Sequence, residues 1–144
     1  MNQMLHTMLR VSDITRSIEF YTKILGMEIL NTLDRPDQGF SLYFLGYAKN
    51  SETHAIELNY NYSIKKFELS NAYGHITIGV DNCFTVCRQI KILGGNIVSE
   101  AGQLPGCDEV SAFVEDPDGY KIELIQKSFT CKASSEKLDQ NLID

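Results

Sequence analysis

The sequence of 144 residues predicts an α+β fold made of two βαβββ modules with curved mixed sheets. The main observation is an internal repeat, because three segments recur in the same order further along the chain. The offsets between the copies are 69, 68 and 66 residues, and such a small drift favours two related halves. The matched pairs are His6–Val11 with His75–Val80, Lys23–Ile29 with Lys91–Ile97, and Ala55–Leu58 with Lys121–Leu124. We therefore predict a single domain over residues 1–127, with repeats at about 4–62 and 73–127.

The first half predicts one strand, one helix and three further strands. A β-rich run at 5–11 leads into Ser12-Asp13, a typical helix-capping pair, and Gly26 predicts a left-handed end to the helix. Strands are expected near 28–33, 41–47 and 54–60. The helix of about three turns is indicated by apolar residues at helical spacing: Ile14, Ile18, Tyr21 and Leu25.

The second half repeats this order. A strand at 74–80 and the cap Asp81-Asn82 precede a helix that passes through Cys87 and Ile90 and stops at Gly94-Gly95. Strands follow near 96–100, 110–115 and 120–126. The last two strands are joined by Asp116–Gly119, whose Pro and Gly positions suit a type I turn in a tight hairpin. Asp116 and Asp118 are therefore expected to have no role beyond forming this turn.

Composition excludes several classes of function. Lys and Arg total 13 against 19 Asp and Glu, and a net charge of −6 without a basic run argues against nucleic-acid binding. Apolar runs are far shorter than the roughly 20 residues of a membrane span, and the N-terminus does not resemble a signal peptide. We therefore predict a cytoplasmic protein with no membrane or nucleic-acid partner. The tail 128–144 is polar and receives no predicted function.

The cysteine spacing favours free thiols. Four cysteines are present without a Cys-x-x-Cys pair, and they are expected to pack as small hydrophobic residues. A disulfide framework or a zinc site is the minor alternative. These residues are Cys83, Cys87, Cys107 and Cys131.

Two residue types with metal-binding chemistry recur at equivalent positions. A histidine begins each half, His6 and His75, and a glutamate lies on the last strand of each half, Glu57 and Glu123. Two imidazoles and two carboxylates form an N2O2 donor set suited to a divalent ion with water ligands. The four side chains could converge if the two halves form a shared sheet.

Strand periodicity places polar residues opposite the apolar layer. Side chains two positions apart share a face, so Arg10 points with His6, and Asn61 points with Glu57. A polar ligand would explain this face. The alternate residues are mostly apolar and are expected to face the helices: Leu5, Thr7, Leu9, Val11, Ile56, Leu58 and Tyr60.

Each of these residues alone has an ordinary interpretation. A single histidine on a strand is usually a surface side chain, and a glutamate within Ile-Glu-Leu is usually the outward residue of a strand. The shared register of both types in both halves is what favours a metal site. His54 has no counterpart in the second half and is predicted to be a solvated residue.

Five segments carry a recognisable combination of motifs: Leu5–Val11, Ser17–Met27, Glu57–Asn61, Tyr73–Ile76 and Phe113–Glu123. Together they resemble the glyoxalase I (lactoylglutathione lyase) family of the vicinal oxygen chelate superfamily. The resemblance covers about residues 5–127, and the short chain is similar to the compact bacterial type. It implies paired βαβββ modules.

The resemblance also implies a set of metal ligands: His6, Glu57, His75 and Glu123. Glu123 is implied as the catalytic base, with Glu57 as its near-symmetric partner. One divalent ion is implied for each site, Ni²⁺ in first place, with Co²⁺ or Zn²⁺ as alternatives.

Substrate contacts and a dimer follow from the same resemblance. Arg10 and Asn61 match residues that hold the glutathione moiety, and His75 is counted with them. The family forms homodimers with the site at the interface, where the first-half ligands of one chain face the second-half ligands of the other. Asn71 stands where some longer relatives carry a basic residue, so that contact is not carried over.

The implied reaction is the isomerisation of the methylglyoxal–glutathione hemithioacetal to S-D-lactoylglutathione through an enediolate. A carboxylate would move the proton between neighbouring carbons, while the ion stabilises negative charge. An alternative is a metal-dependent relative that acts on another thiol adduct. Dioxygenase and thiol-transferase members typically present only three protein ligands, epimerases have Gln near position 57, and drug-binding members lack the set.

Overall fold

A computed structural model describes residues 1–47, 54–106 and 108–127 and consists of two four-stranded mixed sheets, each with a helix of its own half packed against it. The predicted α+β class and the order of elements in both halves are confirmed. The elements are β1 (His6–Val11), α1 (Ile14–Glu19), a π-helical turn (Phe20–Ile24), β2 (Glu28–Arg35), β3 (Phe40–Gly46), β4 (Ala55–Asn61), β5 (Ile76–Val80), α2 (Cys83–Ile92), β6 (Asn96–Gln103), β7 (Val110–Glu115) and β8 (Lys121–Gln126).

The two sheets have the same topology. Their strand orders are β1-β4-β3-β2 and β5-β8-β7-β6, so each half forms its own sheet. The first strand of each half pairs parallel to the last, and the other neighbours are antiparallel. The parallel pair brings the start and the end of each repeat side by side, which is where its histidine and glutamate lie.

The first helix differs from the predicted regular three turns. It begins with Asp13, whose carboxylate accepts the backbone N–H of Arg16 at 3.1 Å, but from Phe20 to Ile24 it is π-helical. The repeat offset falls from 69 at the first strand to 68 at the helix end, so the first helix has one residue more than the second. A π-helical turn absorbs one extra residue within a helix. Gly26 then ends the segment at φ 72, as predicted.

One apolar core joins the two halves. It includes the inward side chains Leu9 and Leu58 of the first sheet and Ile122 and Leu124 of the second, all buried. The predicted inward face of the first sheet is confirmed there, whereas Leu5 precedes β1 and is exposed. Each sheet therefore directs one face to the shared core and leaves the other for the polar residues.

The turn between β7 and β8 fastens the second half to the first. The carboxylate of Asp118 accepts the backbone N–H of Ser12 at 3.1 Å and the Ser12 hydroxyl at 2.5 Å. The hydroxyl of Tyr120 donates to the backbone carbonyl of Arg10 at 2.8 Å. The turn thus holds the end of β1 and the start of α1 in place.

Asp116 makes a second, buried link between the halves. Its Oδ2 accepts the hydroxyl of Tyr21 at 2.8 Å, and its Oδ1 accepts the backbone N–H groups of Asp118 and Tyr120, both at 2.9 Å. Burial raises the pKa of Asp116 to about 6, although these hydrogen bonds act to lower it. The expectation that a turn role suffices for Asp116 and Asp118 is therefore wrong, because both carboxylates also join the two repeats.

The described cysteines are free thiols. Cys83 and Cys87 are buried, and the Cys83 Sγ lies 3.6 Å from the carbonyl oxygens of Val110 and Leu124. Burial raises the pKa of the Cys83 thiol to about 11, so this side chain stays protonated and packs as an apolar group. Cys107, Cys131 and the tail 128–144 lie outside the described residues. Among those that are described, no helix has the length and apolar character to cross a membrane.

We expect Asp116→Asn to remove a pH dependence of stability. The pKa of Asp116 is about 6 in the folded chain against an ordinary 3.8, so the folded state binds this proton more tightly. Its contribution to the free energy of unfolding is therefore largest below pH 4 and declines by about 3 kcal/mol as the pH rises through 6. Urea unfolding of the metal-free wild type and variant, at pH 4 and at pH 7, measures the difference in their free energies of unfolding. A wild-type-minus-variant difference that is equal at both pH values contradicts it.

Candidate metal centre

The first pair of predicted ligands lies on the outer face of the first sheet. His6 begins β1 and Glu57 lies on the neighbouring β4, where its Cα pairs with that of Met8. Side chains two positions apart share a face, so His6 points to the same side. The His6 Nε2 lies 2.8 Å from the Glu57 Oε2. The ring of Phe44 packs edge-on against the imidazole with the centroids 5.4 Å apart.

The second pair repeats this arrangement on the other sheet. The Nε2 of His75 lies 3.2 Å from the Oε2 of Glu123. The Phe113 ring packs edge-on against His75 with the centroids 5.3 Å apart. The same Glu123 oxygen also accepts the hydroxyl of Thr77 at 2.7 Å.

Each pair has the exposure that metal ligands need. Both histidine side chains are 40% exposed, whereas the glutamate side chains are only 11% exposed for Glu57 and 19% for Glu123. The carboxylates are thus held by the sheet while the imidazoles stay open on one side. A nitrogen and an oxygen at hydrogen-bond distance form half of the N2O2 donor set that suits a divalent ion.

A single chain does not bring the two pairs together. They lie on separate sheets, and nowhere within residues 1–47, 54–106 and 108–127 are three or more His, Cys, Asp or Glu side chains grouped to hold a metal ion. A shared sheet within one chain, which would have let all four converge, is not formed. The residues fit a divalent ion only as two half-sites.

Arg10 and Asn61 lie on the same outer face as the first pair. Arg10 is exposed and pairs in register with Asn59 of β4, two residues before Asn61. The Asn61 Oδ1 accepts the backbone N–H groups of Ser63 and Ile64 at 2.9 and 3.0 Å. Because its oxygen holds the turn after β4, Asn61 would contact a ligand through its Nδ2 donor.

Two other predicted residues have simple environments. His54 is exposed just before β4, and its Nε2 lies 2.8 Å from the hydroxyl of Thr7, as expected for a solvated strand-start residue. Asn71 is exposed in the connection between the halves.

A cavity of about 370 Å³ opens beside the second pair. Its lining includes His75, Phe113 and Lys121. Residues 104–106 do not line this cavity, and Cys107 lies outside the described residues. A second cavity of about 590 Å³ lies between Phe20 of the first half and Gly95 of the second, away from both pairs. We place the site at the pairs because they supply the metal-binding chemistry.

Three side chains that contact these residues were not predicted from the sequence. Phe44 and Phe113 are offset by 69 residues, as are the two histidines they touch, so the repeat could have identified them. Thr77 occupies the position that Met8 holds in the first half, and a difference between the copies was the only signal for it.

Comparison with known proteins identifies the family. The sequence model of the Glyoxalase/Bleomycin resistance protein/Dioxygenase superfamily matches residues 3–124 of this chain. The chain belongs to this superfamily. Within it, the chain is 54% identical to the lactoylglutathione lyase of Escherichia coli O157:H7 over 125 residues, which cover 87% of this chain and 93% of that relative.

Solved structures of the superfamily agree with this fold. Glyoxalase I from Zea mays is similar at a TM-score of 0.83 and 40% identity, covering 89% of this chain and 46% of that one. The chain therefore spans about half the length of the maize protein. The trypanothione-dependent glyoxalase I from Leishmania major is similar at a TM-score of 0.78 and 41% identity, covering 88% of this chain and 87% of that one.

Proposed function

We propose that this protein is a lactoylglutathione lyase, which converts the hemithioacetal of methylglyoxal and glutathione to S-D-lactoylglutathione and so detoxifies methylglyoxal. The observation that carries the proposal is the 54% identity to a lactoylglutathione lyase over nearly its whole length. In addition, the chain has both His–Glu pairs, His6–Glu57 and His75–Glu123. A binding protein of the same superfamily would need neither pair.

The two pairs would together hold one divalent ion. His6 and Glu57 would supply one nitrogen and one oxygen, and His75 and Glu123 would supply the other two. A bound divalent ion supplies charge stabilisation to oxygen atoms without a proton transfer. We propose Ni²⁺ as the native ion, with Co²⁺ or Zn²⁺ as alternatives, on the resemblance to the compact bacterial type.

Glu123 is proposed as the base. The reaction removes the proton from the carbon that carries sulfur and returns it to the neighbouring carbon. The hydroxyl of the first carbon becomes the thioester carbonyl, and its proton passes to the oxygen of the neighbouring carbon, which becomes the new hydroxyl. One carboxylate oxygen within hydrogen-bond reach can take the proton and deliver it, so the sum is an isomerisation. The Glu123 side chain is 19% exposed, and its Oε2 lies 3.2 Å from the Nε2 of His75, which lines the cavity of about 370 Å³.

Arg10 and Asn61 are proposed to hold the glutathione moiety. The guanidinium of Arg10 is a planar fork that pairs with a carboxylate through two hydrogen bonds, and glutathione carries two carboxylates. The Asn61 Nδ2 would add a neutral donor, because its oxygen is engaged in the turn. His75 would complete the contacts from the second half-site.

We propose a homodimer in which each site combines the first pair of one chain with the second pair of its partner. A single chain presents two incomplete half-sites within its described residues. Met8 and Leu33 leave apolar side chains 42% and 37% exposed on the outer face of the first sheet, where a second copy would cover them. A two-fold dimer uses the same contact twice and would complete two sites at once.

We propose that the protein acts in the cytoplasm on a small-molecule substrate. No nucleic-acid or membrane partner is proposed. Free, buried Cys83 and Cys87 suit a reducing compartment, and the acidic net charge of −6 does not favour a polyanion. A different thiol adduct is the alternative substrate, because the similar glyoxalase I from Leishmania major is trypanothione-dependent.

An assay that monitors thioester formation by its ultraviolet absorbance tests the proposal. Metal-stripped protein is reloaded separately with Ni²⁺, Co²⁺ and Zn²⁺ and given methylglyoxal pre-equilibrated with glutathione. We expect turnover that depends on an added ion and is fastest with Ni²⁺. Turnover with Zn²⁺ alone overturns the choice of ion, and turnover with trypanothione but not glutathione overturns the choice of thiol.

Glu123→Gln should lose most of the turnover while the chain stays folded. The amide keeps the size of the side chain but cannot take up the proton, so we expect kcat to fall by a factor of about 100 or more. Steady-state kinetics on the Ni²⁺-loaded variant, with its bound nickel counted, measures this. Near-normal kcat in a fully loaded variant would reject Glu123 as the base.

Arg10→Ala should weaken substrate binding more than chemistry. The loss of a bidentate contact to a carboxylate is expected to raise KM about tenfold or more with a smaller change in kcat. Arg10→Lys is the matched control, because it keeps the charge and loses the planar fork. If KM is unchanged in both variants, Arg10 does not hold the substrate.

Two inactive variants should restore activity when they are combined in one dimer. One variant carries His6→Ala with Glu57→Ala, and the other carries His75→Ala with Glu123→Ala. In a mixed dimer with shared sites, one site lacks every ligand and the other is complete, so random pairing restores about a quarter of the wild-type sites. Co-expression with two different tags isolates the mixed dimer, in which about half of the sites should be complete. Sites built within one chain would leave the mixture inactive.

A further inference from the structure

The two half-sites match in three side chains and differ in a fourth. Each has a histidine, a glutamate and an aromatic ring that packs edge-on against the histidine. The Cα of each glutamate pairs with one residue on either side in the sheet. On one side this neighbour is phenylalanine in both halves, Phe44 and Phe113. On the other side it is Met8 in the first half and Thr77 in the second.

This difference is chemical as well as steric. The hydroxyl of Thr77 donates a hydrogen bond of 2.7 Å to the Oε2 of Glu123. A methionine sulfur has no hydrogen to donate, so Glu57 cannot receive the equivalent bond from Met8. Hydrogen bonds to a charged carboxylate are shorter and roughly twice as strong as neutral ones.

We infer that Thr77 is a positioning residue, which fixes the Glu123 carboxylate by one oxygen and makes the second half-site the better-ordered of the two. The inference rests on the proposed function, because it assigns Glu123 to a metal site. The Thr77 side chain is branched at Cβ, so few rotamers are open to it on a strand. Its hydroxyl therefore holds the Glu123 Oε2 in one place beside His75.

Two consequences follow for the site. A ligand whose carboxylate is already oriented binds a metal ion more tightly, and partners that orient metal ligands typically contribute 10- to 100-fold in affinity. The bond also leaves the other oxygen, Oε1, as the atom free to face a substrate. The Thr77 hydroxyl should thus support both metal affinity and kcat, with little effect on KM.

Four residues at position 77 separate the hydroxyl from side-chain size. Thr and Ser carry the hydroxyl, whereas Val and Ala are their closest counterparts without it. If the hydrogen bond matters, Thr77→Ser behaves like wild type and Thr77→Val behaves like Thr77→Ala. If only packing matters, Thr77→Val behaves like wild type and the two small residues group together. Thr32→Val is the control for the same exchange on an exposed strand residue of the other sheet.

The first readout is metal affinity, measured by competition between the protein and a chromophoric chelator for Co²⁺. We expect Thr77→Val and Thr77→Ala to bind Co²⁺ about tenfold or more weakly, with Thr77→Ser within about threefold of wild type. The visible spectrum of the bound Co²⁺ should change in the two variants without a hydroxyl. Equal affinities, or affinities that follow side-chain size, overturn the inference.

The second readout is steady-state kinetics of the Ni²⁺-loaded protein. We expect kcat to fall about tenfold in Thr77→Val and Thr77→Ala, with KM within about twofold, and to be restored in Thr77→Ser. Wild type that binds Co²⁺ but forms no thioester refutes the proposed function, while the affinity series still decides the role of Thr77. Wild type that binds no metal refutes both.

Discussion

The carboxylates of the β7–β8 turn are the interaction on which the rest of this structure depends. Asp116 and Asp118 come from the second repeat and accept hydrogen bonds from Tyr21 and Ser12 of the first. A buried carboxylate is costly unless its oxygens are satisfied, and Asp116 has three donors on its two oxygens. The two helices and the inner faces of both sheets can therefore share one core, and the outer faces are left for chemistry.

Strand pairing then determines which functional groups meet. A parallel first and last strand places the histidine and glutamate of one repeat at hydrogen-bond distance, and it does so twice. Because each half forms its own separate sheet, the same topology also keeps the two pairs apart. The proposed four-ligand site therefore takes its second pair from another chain, and the proposed dimer is argued from the topology rather than from any single contact.

The sequence predicted the repeat, the strands and the residues of each pair, because these depend on local periodicity and on register. It did not predict the π-helical turn at Phe20–Ile24, although a one-residue change in the repeat offset was visible. The links from Asp116 and Asp118 were missed for another reason. They join side chains about 100 positions apart, and no local pattern specifies which distant donor a turn carboxylate will receive.

The two copies differ at the position where the proposed site does not require them to be equal. The proposed ligands and their aromatic neighbours are duplicated, because in the proposed site both halves present the same donors to one ion. The neighbour on the parallel strand has no such constraint, and it is Met8 in one half and Thr77 in the other. A reaction that moves one proton between two adjacent carbons needs only one carboxylate to be held for that task. A hydroxyl beside one glutamate and a thioether beside the other is the smallest change that makes two equivalent carboxylates unequal.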